Sequence, residues 1–120
     1  MIKLIKKFFQ YKELTLSLDA ARERSQYGFI AYDSGDYAYK IDDKWVLISN
    51  DKIAFKSMNK PIAMEKHVYI HQTKNLKWTL IINGKIAIEN ADEIWRDEPG
   101  VYICEIDKIE HTISKLVHKL

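Results

Sequence analysis

An internal repeat is the feature of this sequence that most constrains its fold. Residues 44–55 align without a gap on residues 77–88, and eight of the twelve positions are identical. Each copy has an apolar run that begins with Lys-Trp, a two-residue turn at Asn50-Asp51 or Asn83-Gly84, and a second apolar run. Because Asn and Gly readily adopt the positive φ that type I′ turns require, each copy predicts a β-hairpin. A looser third copy at 27–39 extends the pattern, so we expect hairpins that stack side by side.

The stretch 77–94 is similar to the WG-type β-hairpin repeats of bacterial proteins. The likeness rests on Trp78 and the hairpin that follows it, and Thr79 stands where those repeats have glycine. It implies a hairpin and no particular activity.

The wider hydrophobic pattern predicts strands in the middle of the chain and a helix at each end. Between 14 and 106 the period is mostly two, which predicts about seven to nine short antiparallel strands. Residues 1–12 place apolar side chains on one half of a helical wheel and lysines on the other. Residues 107–120 begin with a potential cap, Asp107, and place Ile109 and Ile113 on one face. We therefore predict an α+β fold, in which an antiparallel sheet of hairpins packs against an N-terminal amphipathic helix and a C-terminal helix.

Length and composition predict one soluble domain over 1–120. The chain has 120 residues, 47% of them hydrophobic, and a net charge of +2, so it has enough apolar surface for a core and little self-repulsion. No apolar run approaches the roughly 18 to 20 residues that span a bilayer. Cys104 is the only cysteine, so no internal disulfide can form. We expect a cytoplasmic protein.

No motif in the sequence indicates catalysis, a metal site or a cofactor. Cys104 lies near Glu105 and Asp107, whose negative charges would raise the pKa of a thiol, so we predict a structural cysteine. His67 and His71 would share a strand face about 13 Å apart, too far for one metal ion, and are predicted to face solvent. We therefore predict a protein that is not an enzyme and needs no cofactor.

Charge is distributed unevenly along the chain. Residues 1–12 carry four lysines and no acid, whereas residues 89–110 carry eight acidic and two basic residues. Aromatic side chains among charges are common anchors of protein interfaces, and this acidic segment contains Trp95. A solvated surface would have the same composition, so both interpretations stay open. As a binding surface, the candidate site comprises Glu89, Asp92, Glu93, Trp95, Asp97, Glu98 and Tyr102.

The leading interpretation is a non-catalytic protein-binding module that docks a basic protein partner. A small bacterial or phage inhibitor fits this description, for example an immunity protein that neutralises a toxin or nuclease, or an anti-defence factor. A nucleic-acid-binding sheet is the first alternative; it would stack bases on Trp45 and Trp78 beside Lys44 and Lys77, although only three arginines are present. A membrane-surface protein is the second, with residues 1–12 lying among lipid headgroups.

The two repeated tryptophans distinguish these classes. Because they hold equivalent positions in two hairpins, Trp45 and Trp78 are predicted to bury their rings in one shared core. Base stacking instead needs both rings exposed. Burial of the two rings would therefore favour the protein-binding interpretation over the nucleic-acid one.

Overall fold

The computed structural model describes residues 17–24 and 28–118. This part of the chain holds one α-helix, α1 (Leu18–Arg24), and eleven strands that pair antiparallel in three sheets. The first sheet has the strand order of the chain, with β1 (Phe29–Ala31), β2 (Tyr37–Ile41), β3 (Lys44–Ser49) and β4 (Lys52–Ser57). The middle sheet likewise contains β5 (Ile62–Glu65), β6 (Val68–Gln72), β7 (Trp78–Ile82) and β8 (Lys85–Ala91). The third sheet contains β9 (Glu93–Glu98), β10 (Val101–Ile106) and β11 (Ile109–Ser114), and a 3₁₀ turn (Lys115–His118) follows it.

The antiparallel hairpins are confirmed, but the α+β fold class is wrong, because the described part of the chain is nearly all β. The predicted helix over 107–120 is replaced by a tight turn at Asp107-Lys108, with φ of 51° and 67°, and by β11. Ile109 and Ile113 are four residues apart and share a face in a strand as well as in a helix, so their spacing fits both. The predicted helix over 1–12 lies outside the described residues. No helix in the described ranges is long and apolar enough to cross a bilayer.

Helix α1 is short and covers one face of the first sheet. Ser17 caps it, since its Oγ accepts a hydrogen bond from the Ala20 N–H at 3.2 Å. Asp19 follows in the first turn of the helix, where a negative charge is favourable. Ala21 is fully buried beside Tyr39, and its small side chain lets the helix approach the sheet closely.

The three sheets stack face to face. Because side chains alternate along each strand, the inner strands of the first and middle sheets bury apolar residues on both faces. The layer between α1 and the first sheet contains Ala21, Tyr39, Val46 and Ile48. The layer between the first and middle sheets contains Ala38, Leu47, Tyr69 and Ile81. The layer between the middle and third sheets contains Val68, Ile70, Leu80, Ile82, Ala91, Tyr102 and Cys104.

The two copies of the hairpin repeat are confirmed as β3 with β4 and β7 with β8. The pairing shifts register at the same repeat position in both, after Leu47 and after Leu80. Trp45 packs on the layer between the first and middle sheets, and Trp78 packs on the layer between the middle and third sheets. A single core shared by both tryptophans is therefore wrong, because the copies are offset by one layer.

A further repeat links the middle and third sheets. The sequence Val-Tyr-Ile occurs at 68–70 in β6 and again at 101–103 in β10, with the same offset as the hairpins. In both copies the tyrosine points to the preceding sheet and is buried. The third sheet thus repeats the first three strands of the middle sheet, so that β9, β10 and β11 correspond to β5, β6 and β7.

Tight turns of successive hairpins contact each other. Asn50 Nδ2 donates a hydrogen bond to Asn83 O at 2.7 Å, and the two residues are equivalent positions of the repeat. Gly84 has a φ of 80°, and a Cβ on it would lie 2.8 Å from Ser49 O. Glycine is therefore required at this position for its backbone conformation and for the close approach of the first sheet.

Gly84→Ala should destabilise the fold more than Gly35→Ala. Both glycines have a positive φ, 80° and 90°, so alanine should lower the free energy of unfolding by about 1–2 kcal/mol at each. At Gly84 the added methyl group also meets backbone, whereas nothing lies within 4 Å at Gly35. We expect roughly a further 1–3 kcal/mol at Gly84 from this overlap. Urea unfolding followed by tryptophan fluorescence measures both losses, and equal losses would contradict the close contact between turns.

Candidate functional site

The third sheet packs one face on the middle sheet. Its opposite face, here called the outer face, belongs to none of the hydrophobic layers that the described residues form. The strand register places three rows of side chains across the outer face. Each row takes one residue from β9, one from β10 and one from β11. The first row is Glu93, Glu105 and Glu110; the second is Trp95, Ile103 and Thr112; the third is Glu98, Val101 and Ser114.

The centre of the outer face is apolar. Trp95, Ile103 and Val101 lie next to one another there, and each is half-buried. The first row, here called the glutamate row, borders this centre on one side, and Glu98 borders it on the other. An apolar centre with a charged rim is the usual anatomy of a protein–protein interface.

The glutamate row places like charges directly opposite one another. Opposite side chains in an antiparallel pair have Cβ atoms about 4.5–5.5 Å apart, and like charges at that distance oppose folding. Glu105 has such a neighbour on each side, Glu93 and Glu110. None of the three forms an ion pair with any residue that the structure describes. Within the described residues the repulsion in the row is therefore uncompensated, and a cation from outside would relieve it.

The structure brings part of the predicted site together. Glu93, Trp95 and Glu98 lie on the outer face, and Asp97 is exposed beside them at a register shift in β9. Glu89 is exposed on β8 of the middle sheet and belongs to none of the three rows.

Two other predicted site residues make structural contacts instead. Asp92 forms an ion pair with Lys77 and accepts a hydrogen bond from the Asp107 N–H at 2.9 Å, which ties the turn after β10 to the end of β8. Tyr102 is fully buried on the opposite face, where its hydroxyl donates a hydrogen bond to Glu65. The alternation of side chains along β10 shows that Tyr102 and its two neighbours lie on opposite faces of the sheet. Only the stacking of the sheets decides which of these faces is the outer one.

Sequence reasoning missed Glu105 and Glu110 as members of the site, because they join Glu93 only through cross-strand pairing. A signal was nevertheless present, since β11 is polar at positions where the earlier repeat copies are apolar. The strand register gives two sets of equivalent positions in β3, β7 and β11. The first set is Trp45, Trp78 and Glu110, and the second is Leu47, Leu80 and Thr112. A polar outer surface is typical of the terminal unit of a repeat protein. With its charged and hydroxyl-bearing positions on β11, the outer face is thus less suited to another apolar sheet than the equivalent faces of the first and middle sheets.

A second polar cluster, centred on Asp36, joins the first and middle sheets. Asp36 Oδ2 accepts hydrogen bonds from Tyr69 Oη at 2.7 Å and from Ser49 Oγ at 2.9 Å, and lies 2.8 Å from His67 Nδ1. Burial alone would raise the pKa of this carboxyl, but these hydrogen bonds together lower it. Asp36 is therefore a buried, ionised carboxylate that holds the two sheets together.

A cleft of ≈ 520 Å³ beside this cluster is lined by residues of both sheets. Tyr32 and Tyr69 line it, with ring centroids 4.8 Å apart. Burial raises the pKa of Tyr32 to about 12 and raises that of Tyr69 as well, so neither phenol ionises near neutral pH. Burial also raises the pKa of Cys104, in another layer, to about 11. The described ranges contain no group of three or more potential metal ligands.

His71 is fully buried between the first and middle sheets, so the prediction that it faces solvent is wrong. It lies on the same face of β6 as Tyr69, toward the first sheet, and its ring centroid lies 4.4 Å from that of Phe55. His67 lies in the turn before β6, with a φ of 61°, and does not share the strand. Neither ring nitrogen of His71 makes a hydrogen bond of normal geometry, although the backbone of Asn59 is near. Burial lowers the pKa of His71 to about 4, so the imidazole is neutral in the fold.

Comparison with protein-family models finds no match, and no curated protein and no solved structure is significantly similar to the chain. The WG-type likeness of the hairpins therefore has no family match behind it.

Stability should depend on pH because of His71. Below pH 6.5 the unfolded chain binds a proton that the folded chain does not, so the free energy of unfolding falls until about pH 4 and this effect then ends. The expected loss is on the order of 3 kcal/mol. His71→Leu should flatten this slope in urea unfolding across the pH range, whereas His111→Gln, at an exposed histidine, should not. An unchanged slope in His71→Leu would contradict a buried, neutral imidazole.

Glu105→Gln should stabilise the free protein, because it removes the central charge of the glutamate row. We expect the free energy of unfolding to rise by roughly 0.2–1 kcal/mol at low salt, and the gain to shrink as salt screens the row. Glu98→Gln is the control, since Glu98 lies opposite Val101 and not opposite an acid. Thermal melts at two salt concentrations compare the variants. A loss of stability in Glu105→Gln would show that the row does not repel as its register implies.

Proposed function

We propose that the protein is a non-catalytic protein-binding module that docks a basic partner on the outer face of its third sheet. One observation carries the proposal: the glutamate row borders an apolar centre on a sheet face whose equivalents in the other sheets are covered. A row of like charges opposes folding, so its presence is better explained by what it binds than by what it stabilises.

Charge and apolar contact would act at different stages of binding. Before contact, the carboxylates attract a positively charged surface over about 8 Å at physiological salt and raise the association rate. On contact, Trp95 and Ile103 would lose their remaining water, and a central tryptophan is among the residues that contribute most to binding energy. Cations of the partner would also relieve the repulsion within the row. This relief would add to the free energy of binding.

Within this class we propose a small inhibitor as the biological role. Proteins that act on nucleic acid carry lysine and arginine surfaces that bind phosphate groups. A sheet face that carries glutamates complements such a surface in charge. An immunity protein against a toxin or nuclease, or an anti-defence factor, would have this chemistry. The binding of a basic partner is the broader proposal and does not depend on the inhibitor role.

The positions of the tryptophans support protein binding over nucleic-acid binding. Trp45 and Trp78 pack on the hydrophobic layers between sheets and do not stand on an open face. The Trp45 ring is so close to the backbone that a Cβ on Gly28 would lie 2.7 Å from it. The glutamate row would also repel phosphate groups. The membrane-surface alternative concerns residues 1–12, which lie outside the described residues.

Reversing the charge of the glutamate row should abolish most binding to a basic probe, a ten-residue peptide of alternating lysine and valine. The test variant carries Glu93→Lys, Glu105→Lys and Glu110→Lys, and a control of equal net charge carries Asp19→Lys, Asp33→Lys and Glu89→Lys at exposed positions. By titration calorimetry, affinity should fall at least about tenfold in the test variant and stay within about threefold in the control.

Trp95→Ala extends this experiment to the apolar centre. It should weaken binding by about 2 kcal/mol, or about thirtyfold, with little change in melting temperature because Trp95 belongs to no hydrophobic layer. Equal losses of affinity in the test and control triple variants would show that the outer face is not the binding site.

A further inference from the structure

Within the described residues, the third sheet has one strand fewer than the other two sheets. In the first and middle sheets the third strand, β3 or β7, pairs on its far edge with a fourth strand, β4 or β8. β11 is the equivalent third strand, and within residues 28–118 it pairs with β10 alone. β11 therefore corresponds to strands that are interior in the other two sheets, but no described strand pairs with its far edge.

The turn at Asp107-Lys108 decides which backbone groups point to this edge. In a two-residue hairpin the residues that flank the turn, here Ile106 and Ile109, form a hydrogen-bonded pair. The same alternation holds at the other end of β11, where the Lys115 N–H donates to Gly100 O at 2.7 Å. Every second residue from Ile109 thus bonds to β10, and the residues between them direct N–H and C=O to the far edge. These residues are Glu110, Thr112 and Ser114.

We propose that the basic partner adds an extended segment along β11 and so becomes the fourth strand of the third sheet. This inference rests on the proposed function and specifies how the partner binds. Main-chain hydrogen bonds to Glu110, Thr112 and Ser114 would hold the segment, and its side chains would provide selectivity. Because these three residues also present their side chains on the outer face, the added strand would widen that face beside the glutamate row.

The fourth strands of the chain itself show that the far edge of a third strand accepts a strand with consecutive apolar residues. β4 begins with Lys-Ile-Ala-Phe and β8 begins with Lys-Ile-Ala-Ile. Their lysines lie opposite Ser49 and Ile82, which correspond to Ser114, so a cation opposite Glu110 is a requirement of the third sheet alone. At the edge, β11 presents Glu110 on the outer face and Ile109, 61% exposed, on the other face. A segment with lysine or arginine opposite Glu110 and an apolar residue beside Ile109 complements both. The segment is therefore a basic β-strand in which cationic and apolar residues alternate.

The test uses the full chain and the ten-residue peptide of alternating lysine and valine. We take the added strand to pair antiparallel, as every described strand pair does. If its lysines lie on the outer face, their backbone N–H groups then point to β11 and the valine N–H groups point away from it. Methylation of the lysine backbone nitrogens should weaken binding at least about tenfold, and methylation of the valine nitrogens should leave it within about threefold. Hydrogen exchange at the amides of Glu110, Thr112 and Ser114 should slow when the unmethylated peptide binds.

A variant of β11 tests the same edge from the protein side. Thr112→Pro removes a donor from the far edge and places a ring where the added strand would lie, but it breaks no hydrogen bond to β10. It should weaken binding of the unmethylated peptide at least about tenfold. Thr112→Ala loses the same side chain but keeps the backbone N–H, so its loss of affinity should be several times smaller than that of Thr112→Pro. If Thr112→Pro fails to fold, the methylated peptides still decide the question on the unaltered protein.

Loss of binding both by lysine methylation and in Thr112→Pro would support strand addition. If neither change affects binding but reversal of the glutamate row abolishes it, the partner lies on the outer face without adding a strand; the inference then fails and the proposed function stands. If reversal of the row also has no effect, both fail. If the free protein is a dimer that Thr112→Pro converts to a monomer, a second copy occupies the edge and the inference is overturned.

Discussion

Burial of the middle sheet on both faces is the constraint on which the rest of the structure depends. Each of its inner strands contributes to two layers, as β6 does with Val68 on one side and Tyr69 on the other, so an unpaired charge is costly on either face. The Tyr69 hydroxyl bonds to Asp36, and the His71 ring, whose nitrogens have no partner of normal geometry, stays neutral. The third sheet needs only one apolar face. Its other face can carry charge without disrupting a layer, and the uncompensated glutamates lie there.

The hairpins could be predicted from the sequence because their information is local. Asn83-Gly84 specifies a tight turn within two residues, and the flanking apolar runs need no distant partner to identify them. The C-terminal strand could not be predicted in the same way, because Asp107-Lys108 adopts the same positive φ pair with neither an asparagine nor a glycine. The spacing of Ile109 and Ile113 then fits two structures, and only pairing with β10 selects the strand.

The candidate site was predictable only where it is continuous in sequence. Glu93, Trp95 and Glu98 fall within one strand, so the acidic composition of that segment identifies them. Glu105 and Glu110 join them through the register of three strands, which no local pattern encodes. The same limit explains Tyr102, an aromatic residue beside acids whose direction is decided by the sheet beneath it.

The hydrogen bond from Asn50 to Asn83 joins the same position of two successive repeat copies. A contact between equivalent residues can recur along a chain without any change in either partner, as it does in solenoid proteins. Duplication of a gene segment that encodes one whole unit of 33 residues would supply the next asparagine, the next turn and the next sheet face together. The architecture can therefore evolve new lengths in whole units, and an insertion of half a unit would leave both its asparagine and its apolar face without a counterpart.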